Sequence, residues 1–300
     1  MTVLSLAHGT DPAFTPARLI TSSSLLHTSA LLLVAAAAAY VYGVLRLRRR
    51  GVRWPPGRTL AFVGGGLGTI AIATLSGLAA YDTTLFSAHM VQHMILIMIA
   101  PIFLALGAPI TLALRTLPGP PRRALLAVLH SRVAAVATFP LVGFALFALS
   151  SYALYFTGWY EATLRNNLLH ELVHLHFLVV GCLFFWPLLG LDPVPGRIAY
   201  PFRALLMFAS MPFHAILGLT IMQSRQVLAG DYYAAVAPGV DHLADQAVGG
   251  GLLWASGDLV ALLMLGVLLV QWMRASEREA QREDRRLDRL EAQQAASGQS

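Results

Sequence analysis

The hydrophobic positions of this chain fall into seven long apolar stretches that are separated by short polar segments. The stretches cover approximately residues 24–45, 59–80, 88–114, 133–157, 167–189, 203–223 and 247–273. Each has about the 20 residues that an α-helix needs to cross the hydrocarbon core of a bilayer. The pattern therefore predicts an all-α integral membrane protein with seven transmembrane helices. Its membrane domain covers 24–273, between an N-terminal segment, 1–23, and a charged tail, 274–300.

The arginines give these predicted helices a direction. The loops 46–58, 115–132 and 190–203 and the tail together hold eighteen of the 21 basic residues, which leaves Arg18, Arg165 and Arg225 for the opposite side. Basic residues concentrate on the cytoplasmic side of membrane proteins. The pattern thus predicts that the N-terminus lies outside and that the C-terminus lies in the cytoplasm.

Composition agrees with a membrane protein, because 57% of the residues are hydrophobic and 12% are charged, against roughly a quarter charged in soluble domains. The net charge of +6 follows from the arginine loops, so we expect membrane lipids and no nucleic acid as surroundings. The single cysteine, Cys182, excludes an internal disulfide. Residues 1–20 lack the basic start and apolar core of a cleavable signal peptide, and we expect the first span to direct insertion.

Histidines gather at the predicted outer ends of the helices. His89 and His93 open the third helix, and His170 and His174 open the fifth. Residues four apart lie on one helix face, and polar side chains in lipid are costly and usually mark function. Two such pairs at one depth favour a metal site over simple packing. The predicted ligands are His89, His93, His170, His174 and His214.

Several neighbouring side chains are secondary candidates. Met90 and Met94 each follow a histidine by one position, which turns them about 100° around the helix, so they cannot all face the same ion. Methionine is more often a packing residue than a ligand, although its thioether suits copper(I). The candidate auxiliary ligands, or partners of ligands, are His27, Met90, Met94, Glu171, Met211, Asp245 and Gln246.

The second histidine pair also forms the motif "HELVH", which is the H-E-x-x-H pattern of zinc proteases with Glu171 as the general base. Such a site needs a third ligand. The carboxylate of Asp192 follows His174 by eighteen residues, or about 27 Å along a helix, which is the opposite side of the membrane. A histidine from another helix could complete the site. We interpret Glu171 as an outer-surface acid or a partner of a ligand.

Three segments carry a resemblance to a known family: "SAHMVQHMILIMIAPIFLALGAPITLALR", "HELVHLHFLVVGCLFFWPLLGLDP" and "DQAVGGGLLW". Over about residues 25–273 the chain resembles the seven-span CtaG-type cytochrome c oxidase assembly factors of bacteria. The resemblance implies a multi-pass protein of the plasma (inner) membrane with no catalytic residues, which provides copper to subunit I or II of a haem–copper oxidase of the respiratory chain. It implies functional roles for His89, His93, His170, His174, His214, Asp245 and Gln246.

The sequence hypothesis is therefore an assembly factor that binds copper at its outer face. Imidazole and thioether ligands fit an oxidising compartment, in which free thiols do not persist. Three alternatives stay open. They are a haem-binding electron carrier with two histidine axial ligands, the intramembrane metalloprotease, and a scaffold that binds no metal.

Overall fold

The computed structural model describes residues 28–196 and 198–297, and the regular structure in these residues is entirely helical, as predicted. Within these residues, six helices are long and apolar enough to cross a membrane: Ser29–Arg49, Pro56–Tyr81, Phe86–Thr116, Asn167–Leu189, Tyr200–Met222 and His242–Leu290. We call these spans 1, 2, 3, 5, 6 and 7. Span 4 is the pair Pro140–Tyr155 and Trp159–Arg165, which is bent by 73° and makes a seventh crossing if it is counted as one. The sidedness of the termini stays a prediction.

Span 3 is interrupted in its second half, where Pro101, Gly107 and Pro109 predict a kink. The helix runs over Phe86–Met94, widens to a π-helix over Ile95–Ile99 and continues over Ala100–Leu106. It breaks at Ala108, whose φ of 48° is left-handed, and restarts at Pro109. Proline suits the first position of a helix, because an N–H group there has no acceptor within the helix and proline has no N–H to satisfy.

Asp192 holds the restarted segment. Its buried carboxylate accepts hydrogen bonds from the backbone N–H of Ile110 and Thr111, at 3.2 and 2.8 Å, and from the Trp186 indole at 3.0 Å. A carboxylate at a helix N-terminus satisfies orphan N–H groups and complements the helix dipole. The acid that follows the H-E-x-x-H motif in the sequence therefore has a structural role.

Spans 3 and 5 approach each other closely at Gly181. A Cβ atom at this position would lie 2.6 Å from Cγ of Pro101 and would also overlap the backbone of Ile97. The absence of a side chain lets the two backbones pack in contact. This contact brings the N-terminal halves of spans 3 and 5, which carry the two histidine pairs, to the same place.

Span 7 continues beyond the membrane domain without a break. Its helix extends from His242 to Ser297, so the sequence boundary at residue 273 is a change of composition within one helix. Residues 276–290 are all exposed. The charged tail is therefore a helical extension of the last span.

Candidate metal centre

The two histidine pairs meet face to face. The ring centroids are 3.9 Å apart for His89 and His93, and 4.4 Å apart for His170 and His174. Between the pairs, His89 lies 5.7 Å from His170, and His93 lies 6.0 Å from His174. All four residues are buried. We call these four residues the histidine cluster.

Local capping fixes where each pair begins on its helix. The Asn166 side chain accepts from the N–H of Leu168 and Leu169, which starts span 5 just before His170. The Asp245 carboxylate of span 7 accepts from the N–H and the hydroxyl of Ser87, in the first turn of span 3. Both caps position the first turn of a helix that carries a histidine pair.

Asp82 is the member of this site that the sequence interpretation missed. It lies in the turn between spans 2 and 3 and is only 3% exposed. Its Oδ2 is 2.8 Å from Nε2 of His170 and 3.9 Å from Nε2 of His174. One ligand atom from each of Asp82, His170 and His174 falls within 4.8 Å of the other two. Asp82 therefore adds a carboxylate to the imidazoles.

A sequence signal for Asp82 existed. It is an acid seven residues before His89, at the helix ends where the histidines gather. The H-E-x-x-H motif predicts a carboxylate downstream of its histidines, as in zinc proteases, whereas Asp82 lies upstream of them, in a turn.

Several buried ring nitrogens in the histidine cluster have no hydrogen-bond partner in the described part of the chain. They are both nitrogens of His89, Nε2 of His93 and Nε2 of His174. Buried polar atoms are nearly always hydrogen-bonded, and each one left without a partner costs about 1–3 kcal/mol. Converging imidazoles with available lone pairs form a donor set that fits a transition-metal ion.

Tyr155 orients one of these rings. Its hydroxyl oxygen lies 2.6 Å from Nδ1 of His93 and is buried. If Nδ1 carries the proton and donates it to the phenol oxygen, the lone pair of Nε2 is available to a cation. This is the usual arrangement of a metal-binding histidine, whose second nitrogen is held by a neighbouring group.

The predicted ligand His214 and the candidate auxiliary ligands Met90 and Met94 contact other groups in the described structure. Nδ1 of His214 is 3.0 Å from the carbonyl oxygen of Ser210, and its ring packs 5.1 Å from that of Phe147. Met90 and Met94 are buried within the apolar core. The predicted depth of His214 and the methionines stays a prediction, and the direction of each side chain around its helix depends on packing.

The remaining candidates surround the site. Oε2 of Glu171 is 3.9 Å from Nδ1 of His174, and the Glu171 side chain is 70% exposed. Met211 is partly buried against the core. Gln246 accepts from the N–H of Leu228 and donates to the carbonyl oxygen of Gln226, both in the preceding loop, so it holds that loop in place. His27 lies outside the described residues.

Comparison with known proteins shows the family of this chain. The family model described as cytochrome c oxidase caa3 assembly factor matches residues 38–275. Proteins of Mycobacterium bovis and Mycobacterium tuberculosis, each described as uncharacterized, are 41% identical over 264 residues, which is 85% of this chain and 40% of theirs. A similarly described Mycobacterium leprae protein is 39% identical over 259 residues, 83% of this chain and 39% of its own. The chain thus spans about two fifths of these relatives. No solved structure matches it.

Proposed function

This chain belongs to the cytochrome c oxidase caa3 assembly factor family, and on that premise we propose that it binds copper in the histidine cluster and supports insertion of the metal into a haem–copper oxidase. One observation carries the proposal. Four buried imidazoles and the Asp82 carboxylate converge at one end of the bundle, and ring nitrogens there have no hydrogen-bond partner among the described residues.

The donor set suits copper. Imidazole binds copper, zinc, iron and nickel, and among divalent ions the general order of affinity peaks at copper(II). The cluster holds no thiolate, since the single cysteine, Cys182, lies elsewhere on span 5. A site without thiols keeps its ligands in an oxidising compartment. The role of the family in oxidase assembly favours copper over the other ions.

The arginine distribution predicts that the histidine cluster lies near the outer face of the bacterial plasma membrane. Copper held there could pass directly to a client subunit on the same side. We propose subunit I or II of the oxidase as that client. The site combines buried nitrogens with an exposed acid, Glu171, beside His174, so it lies close to the surface where a client would dock.

Metal analysis of the purified protein tests the proposal. The wild type and the His93→Ala, His170→Ala and His176→Ala variants are loaded with copper in detergent, freed of excess and analysed for copper by mass spectrometry. His176 is the matched control, because it lies on the same helix as His170 but interacts with Ser150, at 2.9 Å. We expect copper in the wild type and the control, and a lower copper content in each of the other two. Equally little copper in all four proteins would contradict the proposal and favour the scaffold that binds no metal.

A second candidate, hydrolysis, gains support from Asp82. Two histidines and a carboxylate, next to the glutamate of an H-E-x-x-H motif, form the ligand set of some zinc peptidases. Glu171→Gln separates the two functions, since it removes the base and preserves the ligands. An assembly factor keeps its metal and supports oxidase assembly in cells that carry this variant. A hydrolase with this substitution keeps its metal but no longer supports oxidase assembly.

The haem alternative has less room. The ring of Phe177 packs 4.4 Å from that of His93, and the ring of Tyr160 packs 5.0 Å from that of His89. A haem plane held between two of the histidines would have to displace these aromatic rings. The same purified protein decides the point, because a bound haem gives an intense Soret band and a copper site does not.

A further inference from the structure

We propose that the histidine cluster holds two metal ions in two adjoining centres. The first, a divalent centre, consists of Asp82, His170 and His174. The second, a copper(I) centre, consists of His89 and His93. This inference rests on the proposed metal binding and adds to it the number of ions and their charges.

The divalent centre is separate because its ligand atoms converge and those of the other pair do not join them. Asp82, His170 and His174 form a group of three whose ligand atoms all lie within 4.8 Å of one another. Across residues 28–196 and 198–297, no other group of three or more histidine, cysteine or acidic residues meets this distance. Ligands around a tetrahedral ion, each about 2.1 Å from it, lie about 3.4 Å apart. Small side-chain movements would close this trio on one ion.

The second pair is built to bind a ligand of its own. Three of the four ring nitrogens of His89 and His93 are buried without a hydrogen-bond partner in the described chain, and Tyr155 holds the fourth. The distances between the pairs, 5.7 and 6.0 Å from ring to ring, suit two neighbouring ions. Ions in two-metal sites lie about 3.5–4 Å apart.

Charge decides which ion each centre takes. The first centre has the only carboxylate of the group, Asp82, and a carboxylate favours a divalent cation. The second centre has neutral imidazoles alone. Repulsion between a divalent and a monovalent ion is half that between two divalent ions at the same distance. Copper(I) also accepts two or three ligands, so two imidazoles hold it and leave a position open for a client.

Sequential loading of the full chain in detergent tests the inference. Zinc is added first, excess is removed, and copper(I) is then added under anaerobic, reducing conditions. We expect one zinc per chain, then one copper(I) with the zinc retained. Asp82→Asn should weaken zinc binding at least about tenfold and leave copper(I) binding intact. His89→Gln should abolish the copper(I) equivalent and leave zinc binding intact. His176→Ala should retain both metals.

The outcomes separate this inference from the proposed function. Displacement of zinc by copper(I), one for one, would overturn the two-centre arrangement while metal binding stands. Loss of both metals in each single variant, in protein whose melting temperature matches the wild type, would overturn it in the same way. Failure of the wild type to bind either metal would overturn the proposed function itself. Where a variant has a lower melting temperature than the wild type, His93→Gln and His174→Gln provide a second pair of variants, one from each centre.

Discussion

At the scale of single residues, the histidine cluster depends on groups that hold the imidazole rings in place. Tyr155 is the clearest case, since its hydroxyl oxygen lies 2.6 Å from Nδ1 of His93. The other ring nitrogen of His93, Nε2, has no hydrogen-bond partner in the described structure. A group that fixes the second nitrogen of a histidine sets both its tautomer and its orientation. We therefore expect the phenol oxygen of Tyr155 to affect affinity and not the number of ions.

Tyr155→Phe should lower copper affinity about tenfold while the copper content at saturation stays at the wild-type value. The substitution removes one oxygen and preserves the packing of the ring. Competition titration against a chromophoric chelator measures the change. Tyr152→Phe is the control, because Tyr152 lies on the same helix as Tyr155. Its hydroxyl donates to the carbonyl oxygen of Phe213 on span 6, at 2.8 Å. Equal affinities for both variants would contradict an orienting role for Tyr155.

At the scale of the helices, a small residue sets how closely the two histidine pairs approach. Gly181 lies in the contact between spans 3 and 5, where a Cβ atom would come within 2.6 Å of Pro101. Packed interiors respond to one added methyl group with shifts of side chains and backbone. The spacing of about 6 Å between the pairs is thus a property of the packed helices and not of the histidines alone.

Gly181→Ala should destabilise the protein by about 1–3 kcal/mol and reduce copper binding, because the added methyl group forces spans 3 and 5 apart. Gly266→Ala is the matched control, since a Cβ atom there meets no heavy atom within 4 Å of the described structure. Thermal unfolding and copper analysis of both variants give the comparison. An unchanged melting temperature and copper content for Gly181→Ala would show that the contact is not needed.

The same contacts explain what could be predicted from the sequence. The helical membrane fold follows from the apolar stretches, because each helix must satisfy its own backbone in lipid. The two histidine pairs follow from the four-residue period. Asp82 could not be assigned to the site in this way, since a turn residue reaches the histidines only through the packing of three helices. The ring of His214 packs against that of Phe147, a contact that the spacing of residues along the sequence does not predict.

At the scale of the whole molecule, the metal site and the charged tail belong to opposite ends of the chain's last helix. That helix begins at His242, near the end of the bundle that carries the histidine cluster, and extends to Ser297. The family match ends at residue 275. Up to Ser297 the tail is therefore part of the same helix as the last span, but it lies beyond the part that the family model matches.

The tail also has a charge pattern of its own. Arginines recur along it at intervals of three or four residues, which places them on one face of the helix, at positions 274, 278, 282, 285 and 289. Acids occupy other faces, and the side chains of 276–290 are exposed. A helix of this kind is stable through pairs such as Arg286 with Glu283 and needs no contact with the bundle.

Removal of residues 276–300 should accordingly leave the copper content and the melting temperature of the membrane domain unchanged. Residues 276–290 are exposed, and exposed ion pairs contribute only about 0.2–1 kcal/mol each. Copper analysis and thermal unfolding of the truncated protein test this. If the truncated protein also restores oxidase activity in cells that lack the full chain, the tail is dispensable for assembly. A folded, copper-bearing but inactive truncation would instead assign the arginine face to a partner protein, because the histidine cluster would then be intact near the other end of the same helix.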